Sequence, residues 1–299
     1  MSNQRLLFFG MPGPLATTAL THFIQAGISI MAVVIPDRMP HAPPITALAH
    51  ANSRQIQVST HQKPLDLVSY TQQLGIPVLK LSNPRHPEAL ALLASYTAHL
   101  GCVACWPKRL PKTLLQLFQQ GCVNIHPSLL PNFRGPEPIF WQLRAGVELG
   151  VSLHQMDASY DTGPLIAQAA VPTPDDADLA TLEQHCAAVG AELLVAQLAQ
   201  HRSQSLPSTP QIAGGSQQSF PTYADFDLQP TLTARQVFRF MRGAAAYGEH
   251  FRWLYADQTV RLVEALNFDQ ASSLTVPEFI GDIVRFPCVE GVVTARWTR

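Results

Sequence analysis

Only four of the 299 residues are lysine, at positions 63, 80, 108 and 112. A protein that follows a nucleic-acid backbone usually carries a basic face, so this scarcity argues against a large phosphate footprint. Charge is sparse throughout: 14% of residues are charged and the formal net charge is -1. Apolar residues make up 46%, the balance of a folded globular chain and not of a disordered one. Cysteine is few and odd in number: Cys102, Cys105, Cys122, Cys186 and Cys288. An odd count in a chain this long argues against a disulfide framework and for a reducing compartment. No stretch approaches the ~20 apolar residues needed to span a bilayer. The opening MSNQRLLFFG is too short in apolar residues for a signal peptide, and MPGP interrupts it. A cytoplasmic location without a membrane partner is expected.

What is present is alternation. RLLFFG (5–10) is a short apolar run of buried-strand type, MPGPLATTALTHFIQAG continues as a turn and a helix, and ISIMAVVIP (28–36) is a second strand. A strand–helix–strand order implies a parallel pair with a right-handed crossover. The GMPG turn lacks the G-x-G-x-x-G spacing of a dinucleotide site and reads as structural. A short helix is expected within 45–55, a strand at 76–81, a helix over 86–98, a strand at 100–106 and a helix over 111–121. Strands follow at 122–126, 150–157 and 163–171. A helix begins after Pro138, and one or two long helices fill 176–201. The expected fold is α/β, a Rossmann-like open sheet over residues 1–201, with ligands beyond the carboxyl ends of its strands. Residues 202–222, rich in Ser, Gln, Pro and Gly, read as a linker. Residues 223–299 are expected to form a smaller domain, one helix and a compact β unit.

The stretch NIHPSLLPNFRG (124–135) crowds polar and apolar groups at a strand end. Asn124 and His126, two apart, project from one face of a strand. An amide donor beside a ring with pKa near ~6.5 suits a developing oxyanion. The plainer reading is that both are simply hydrogen-bonded within the fold. Downstream, MDASYDTGPLI places Asp157 and Asp161 between two strands, where a carboxylate could face His126 or serve only as a turn former. Cys102 and Cys105 resemble half of a metal or redox site, but no second pair accompanies them and a buried structural role is expected.

CVNIHPSLLPNFRG, followed about 25 residues later by GVSLHQMDASYDTGPLIAQ, resembles the formyltransferases that use 10-formyltetrahydrofolate. The resemblance covers roughly residues 5 to 200. The order of parts after it (a linker, YADFDL, a helix, then β structure) is similar to methionyl-tRNA formyltransferases. It implies that Asn124, His126 and Asp161 are catalytic, that Ser128, Leu129, Leu130 and Pro131 contact the folate, and that no metal is needed. It also implies formyl transfer from 10-formyltetrahydrofolate to a primary amine, with initiator methionyl-tRNA among the acceptors. Arg134 and Gly135 would lie toward the acceptor.

The sequence departs from that pattern after the second strand. PDRMPHAPPITALAH holds one Arg and no Lys where tRNA enzymes carry a longer basic loop. This favours an amino sugar nucleotide or another small amine. Phe140 and Trp141 could stack on an acceptor base, though a packing role is the plainer expectation. A different class, hydrolysis of 10-formyltetrahydrofolate to formate, shares the Asn, His and Asp. Such hydrolases usually carry an N-terminal regulatory domain, which this sequence does not show.

Overall fold

The computed structural model describes residues 4–49, 66–201 and 205–298. Its larger sheet has eight strands: β1 (Arg5–Gly10), β2 (Ser29–Pro36), β3 (Ile45–Ala47), β4 (Val78–Leu81), β5 (Leu100–Ala104), β6 (Cys122–His126), β7 (Gly150–Gln155) and β8 (Leu165–Ala170). Their spatial order is β3-β4-β2-β1-β5-β6-β7-β8. The strands from β4 to β6 run parallel, while β3, β7 and β8 pair antiparallel with their neighbours. Helices α1 (Pro14–Gln25), α2 (Leu67–Gln73), α3 (Pro87–Ser95), α4 (Lys112–Leu115), α5 (Pro138–Arg144) and α6 (Leu179–Gln200) belong to the same part of the chain.

Two apolar cores flank this sheet. Leu6, Phe8, Val33, Val123 and Ile125 face one of them together with α1 and α6; Leu7, Phe9, Val34, Val103 and Cys122 face the other, with α3 and α4. The alternation along each strand is the period-two geometry of a pleated backbone. Residues 176–201 yield one continuous helix, α6, capped by the Asp178 carboxylate accepting from the Thr181 N–H.

Two expectations are corrected. The stretch 45–55 does not begin as a helix: β-branched Ile45 and Thr46 pair with Leu81 and Lys80 as strand β3, and residues 50–55 lie outside the described residues. The helix expected over 111–121 ends at Leu115. A turn there sends Phe118 into the core, edge-on to Phe9 and against Gly101, where a Cβ would stand 2.8 Å from its ring. The segment read as a linker is bound to the large sheet over its described part. Thr209 and Leu165 exchange two backbone hydrogen bonds of 2.8 Å, and Gln217 bridges Arg134.

Beyond it, α7 (Ala234–Ala244) opens with a capping box of Thr233 and Gln236. It packs on a second, antiparallel sheet of β9 (Phe251–Tyr255), β10 (Gln258–Asp269), β11 (Glu278–Ile280), β12 (Ile283–Pro287) and β13 (Val292–Thr298), in the order β11-β12-β13-β10-β9. β11 was not anticipated from sequence. Phe140 of α5 meets Phe226, Phe240 and Tyr247 at ring-centroid distances of 5.2, 5.4 and 5.2 Å, so the two sheets share one apolar core. Among the described residues, no helix is long and apolar enough to cross a membrane.

Candidate active site

β6 delivers the polar pair. Val123 and Ile125 point into one core, so Asn124 and His126 point to the opposite face, at the carboxyl end of the strand. Pro127 stops the ladder, and the Ser128 N–H turns back onto the His126 carbonyl at 2.8 Å. His126 is buried. Its Nε2 is 2.9 Å from the Phe133 carbonyl, and since a carbonyl only accepts, Nε2 carries the proton. Nδ1 is then left facing Asp161 Oδ1 across 3.7 Å, a gap longer than a hydrogen bond.

Asp161 reaches this position from the loop between β7 and β8, at φ 54°. This is the left-handed region, which Asp tolerates better than most residues. Its Oδ1 lies 3.3 Å from Asn124 Nδ2, and its Oδ2 accepts the Gly135 N–H at 2.8 Å. Gly163 follows where nothing larger fits, since a Cβ would stand 1.7 Å from the Gln155 carbonyl oxygen. Burial pushes the Asp161 carboxyl up, but the neighbouring His126 and His154 and the Gly135 N–H outweigh it and hold the group well below the usual carboxylate range. His126 moves the other way for an imidazole. Burial depresses its pKa, and the Asp161 charge only partly restores it. The pair is therefore an ionised carboxylate beside a neutral imidazole near neutral pH.

His154 was not singled out from the sequence. The antiparallel register of β6 and β7 sets it directly opposite Asn124, on the same face. Its Nδ1 donates to the Gln155 carbonyl at 3.0 Å, which leaves Nε2 to accept from Asn124 Nδ2 at 3.2 Å. Asp161 Oδ1 lies 3.5 Å from the same nitrogen. The only sequence signal was a histidine two residues from Ser152 in a strand. Its place beside Asn124 depends on strand register.

The SLLP segment continues directly from the end of β6. Ser128 is fully buried and donates to the Asn132 carbonyl, Leu130 N–H donates to Ser152 Oγ, and Gln168 donates to the Leu130 carbonyl. Leu130 is buried, whereas Leu129 is 41% exposed. The Leu130–Pro131 peptide is cis, and the Pro131 carbonyl accepts the Ser216 N–H. Arg134 is turned away from the Asp161 carboxylate: its guanidinium donates to Gln211 Oε1 and to the Gly214 carbonyl. Asp157 ties up Thr162 and the Ser159 N–H as a turn former. Phe140 and Trp141 are core residues. Cys102 is fully buried on β5, Cys105 follows it at φ 61°, and burial pushes the Cys105 thiol up to about 12. Among the described residues, no group of three or more His, Cys, Asp or Glu is placed to hold a metal ion.

The chain is similar to known proteins. A family model described as formyl transferase matches residues 19–198. A methionyl-tRNA formyltransferase of Myxococcus xanthus (strain DK1622) is 33% identical over 222 residues, which span 72% of this chain and 64% of that protein. One from Thermodesulfovibrio yellowstonii is 26% identical over 274 residues, 91% of this chain and 83% of that protein. Among solved structures, WlaRD, a sugar 3N-formyl transferase, superposes with a TM-score of 0.62 at 14% identity, covering 99% of this chain and 98% of its own. It shares the two-sheet architecture. The family match spans most of the large sheet and every residue of the Asn124–His126–Asp161 cluster, and the chain belongs to the formyl transferase family.

Proposed function

We propose that this protein transfers a formyl group from 10-formyltetrahydrofolate to a primary amine, with methionyl-tRNA as the leading acceptor. One observation carries the reading. Asn124 Nδ2 and His126 Nδ1 converge on one oxygen of Asp161, at 3.3 and 3.7 Å, with the imidazole neutral and the carboxylate ionised. Such a pair is set to take a proton: His126 Nδ1 is the free base, and the Asp161 charge stabilises the imidazolium that forms.

The donor brings a formyl carbon whose bond to N10 is to be exchanged for a bond to the acceptor nitrogen. Asn124 donates an amide hydrogen to the oxygen that gains charge as the amine adds. His126 Nδ1 takes the proton that the amine loses on forming the new C–N bond. Asp161 stabilises the resulting imidazolium, and the same proton is available to N10 as its bond to carbon breaks. Ser128, Leu129, Leu130 and Pro131 would hold the folate. The Leu130 backbone is fixed by Ser152 and Gln168, and the exposed Leu129 side chain offers an apolar contact for the face of a flat ring. Residues 1–201 would be the catalytic unit, and 223–299 a smaller C-terminal unit.

The names of the curated relatives favour tRNA, although the chain spans less than two thirds of the first relative's length. A second acceptor class, an amino sugar nucleotide or another small amine, is favoured by the lysine-free stretch 36–50. Its single arginine, Arg38, contacts the Met11 sulfur. The test is to incubate the purified protein with 10-formyltetrahydrofolate and each acceptor in turn, following tetrahydrofolate by absorbance and the acceptor by mass. Tetrahydrofolate is expected only when an amine is present. Formate release at the full rate without any acceptor would make the protein a hydrolase.

A further inference from the structure

We infer that Gln211 is a positioning residue for Asp161, which makes the segment after α6 a working part of the site and not a tether. The two loops that bear on His126 come from different places. Residues 133–135, after β6, supply the Phe133 carbonyl to His126 and the Gly135 N–H to Asp161. Residues 161–163, between β7 and β8, supply Asp161 itself. Gln211 joins these two loops. Its Nε2 donates to the Asp161 carbonyl at 2.7 Å and to the Gly163 carbonyl at 2.9 Å. Its Oε1 accepts from Arg134 Nε at 3.1 Å and Nη2 at 2.6 Å. Both amide hydrogens and both lone pairs of one side chain are thus in use.

The backbone around Gln211 is itself anchored at two points. Thr209 pairs with Leu165 at the start of β8. Further on, the Arg134 N–H donates to the Ser216 carbonyl at 3.0 Å, and the Gln218 N–H donates to the Arg134 carbonyl at 2.8 Å. Ser216 Oγ accepts the Phe133 N–H at 2.9 Å. Close fit continues at Gly215, where a Cβ would stand 2.1 Å from the Pro131 carbonyl oxygen. The segment is therefore built against both loops, and among its described residues Gln211 is the side chain that reaches the backbone of Asp161. A carboxylate at φ 54° keeps its aim only while its own peptide groups are held. Displacement of a reacting group by about 1 Å can cost on the order of 100-fold in rate.

The kinetic arm of the test rests on the formyl-transfer reading; a second arm does not. Gln211→Ala removes the clamp. Gln211→Glu keeps the Arg134 contacts but sets carboxylate oxygens against two carbonyls. Ile212→Ala is the control, since that side chain is 75% exposed. In both Gln211 variants kcat is expected to fall roughly 10- to 100-fold with KM for 10-formyltetrahydrofolate little changed, and in Ile212→Ala to stay at the wild-type value. Independently, the His126 imidazole is titrated by NMR. The titratable groups facing it are Asp161 and, from β7, His154. Loosening Asp161 moves away the charge that raises the His126 pKa, so the midpoint should drop in Gln211→Ala, the variant that adds no charge of its own. Folded Gln211 variants with wild-type kcat and an unmoved His126 midpoint in Gln211→Ala would overturn the inference. A wild-type protein that formylates no amine would instead overturn the proposed function, while the titration would still test Gln211.

Discussion

His126 donates its Nε2 proton to the Phe133 carbonyl, and everything it does next depends on the bare Nδ1 opposite Asp161. The pH dependence follows from that state. Burial lowers the His126 pKa, the nearby His154 lowers it further, and Asp161 opposes both, so the ring stays neutral down to below the ordinary value of ~6.5. Neutral His126 is the form that accepts a proton. The acid limb of the kcat profile is therefore expected below about pH 6.5, with loss of activity as pH falls through it. Asp161→Asn should move that limb lower still, because the charge that raises the His126 pKa is gone, and should reduce kcat as well. His126→Ala should cost roughly 100- to 10,000-fold in kcat with folate affinity largely kept, by steady-state kinetics and calorimetry. Near-wild-type turnover in that variant would remove His126 from the mechanism.

At the scale of elements, the strand ends and the turns between them set the geometry. Asn124 and His126 share a face because β6 has a period of two, and that much was readable from NIH. Asp161 could be named from the DTG turn through family resemblance, but its aim depends on a backbone that crosses within touching distance of another. Gly163 is the point of closest approach. Gly163→Ala would force a Cβ to within 1.7 Å of the Gln155 carbonyl oxygen, where neither partner is a flexible side-chain end. The turn must open, at a cost of about 2 kcal/mol or more, and Asp161 must move with it. A denaturant titration should show that loss, accompanied by a fall in kcat larger than the loss of stability explains. A variant with wild-type stability and rate would refute the close-approach argument. By contrast, the helix expected over 111–121 stops early because Phe118 gains more from the core than α4 would from further turns.

Across the whole molecule, the two sheets are joined by aromatic packing as well as by the segment that runs between them. Phe140 is fully buried, and its ring meets Phe226, Phe240 and Tyr247 from beyond that segment. Phe140→Ala should destabilise the protein by about 3–5 kcal/mol. Because the core is continuous, the unfolding of both sheets is expected to shift together in calorimetry and in hydrogen exchange. A shift confined to one sheet would show that the units are energetically independent.

Composition and periodicity were enough to specify an α/β sheet, the face shared by Asn124 and His126, and a later β unit, because alternation and helical spacing are written locally along the chain. The family resemblance pointed to Asp161, which the structure places beside Asn124 and His126. Only the tertiary structure decided three things: that His154 stands opposite Asn124, that Gly135 holds the Asp161 carboxylate, and that Gln211, from a stretch that reads as a linker, clamps the Asp161 backbone. Each depends on strand register or on a crossing of segments 26 to 50 residues apart. Such contacts leave no periodic trace in the sequence.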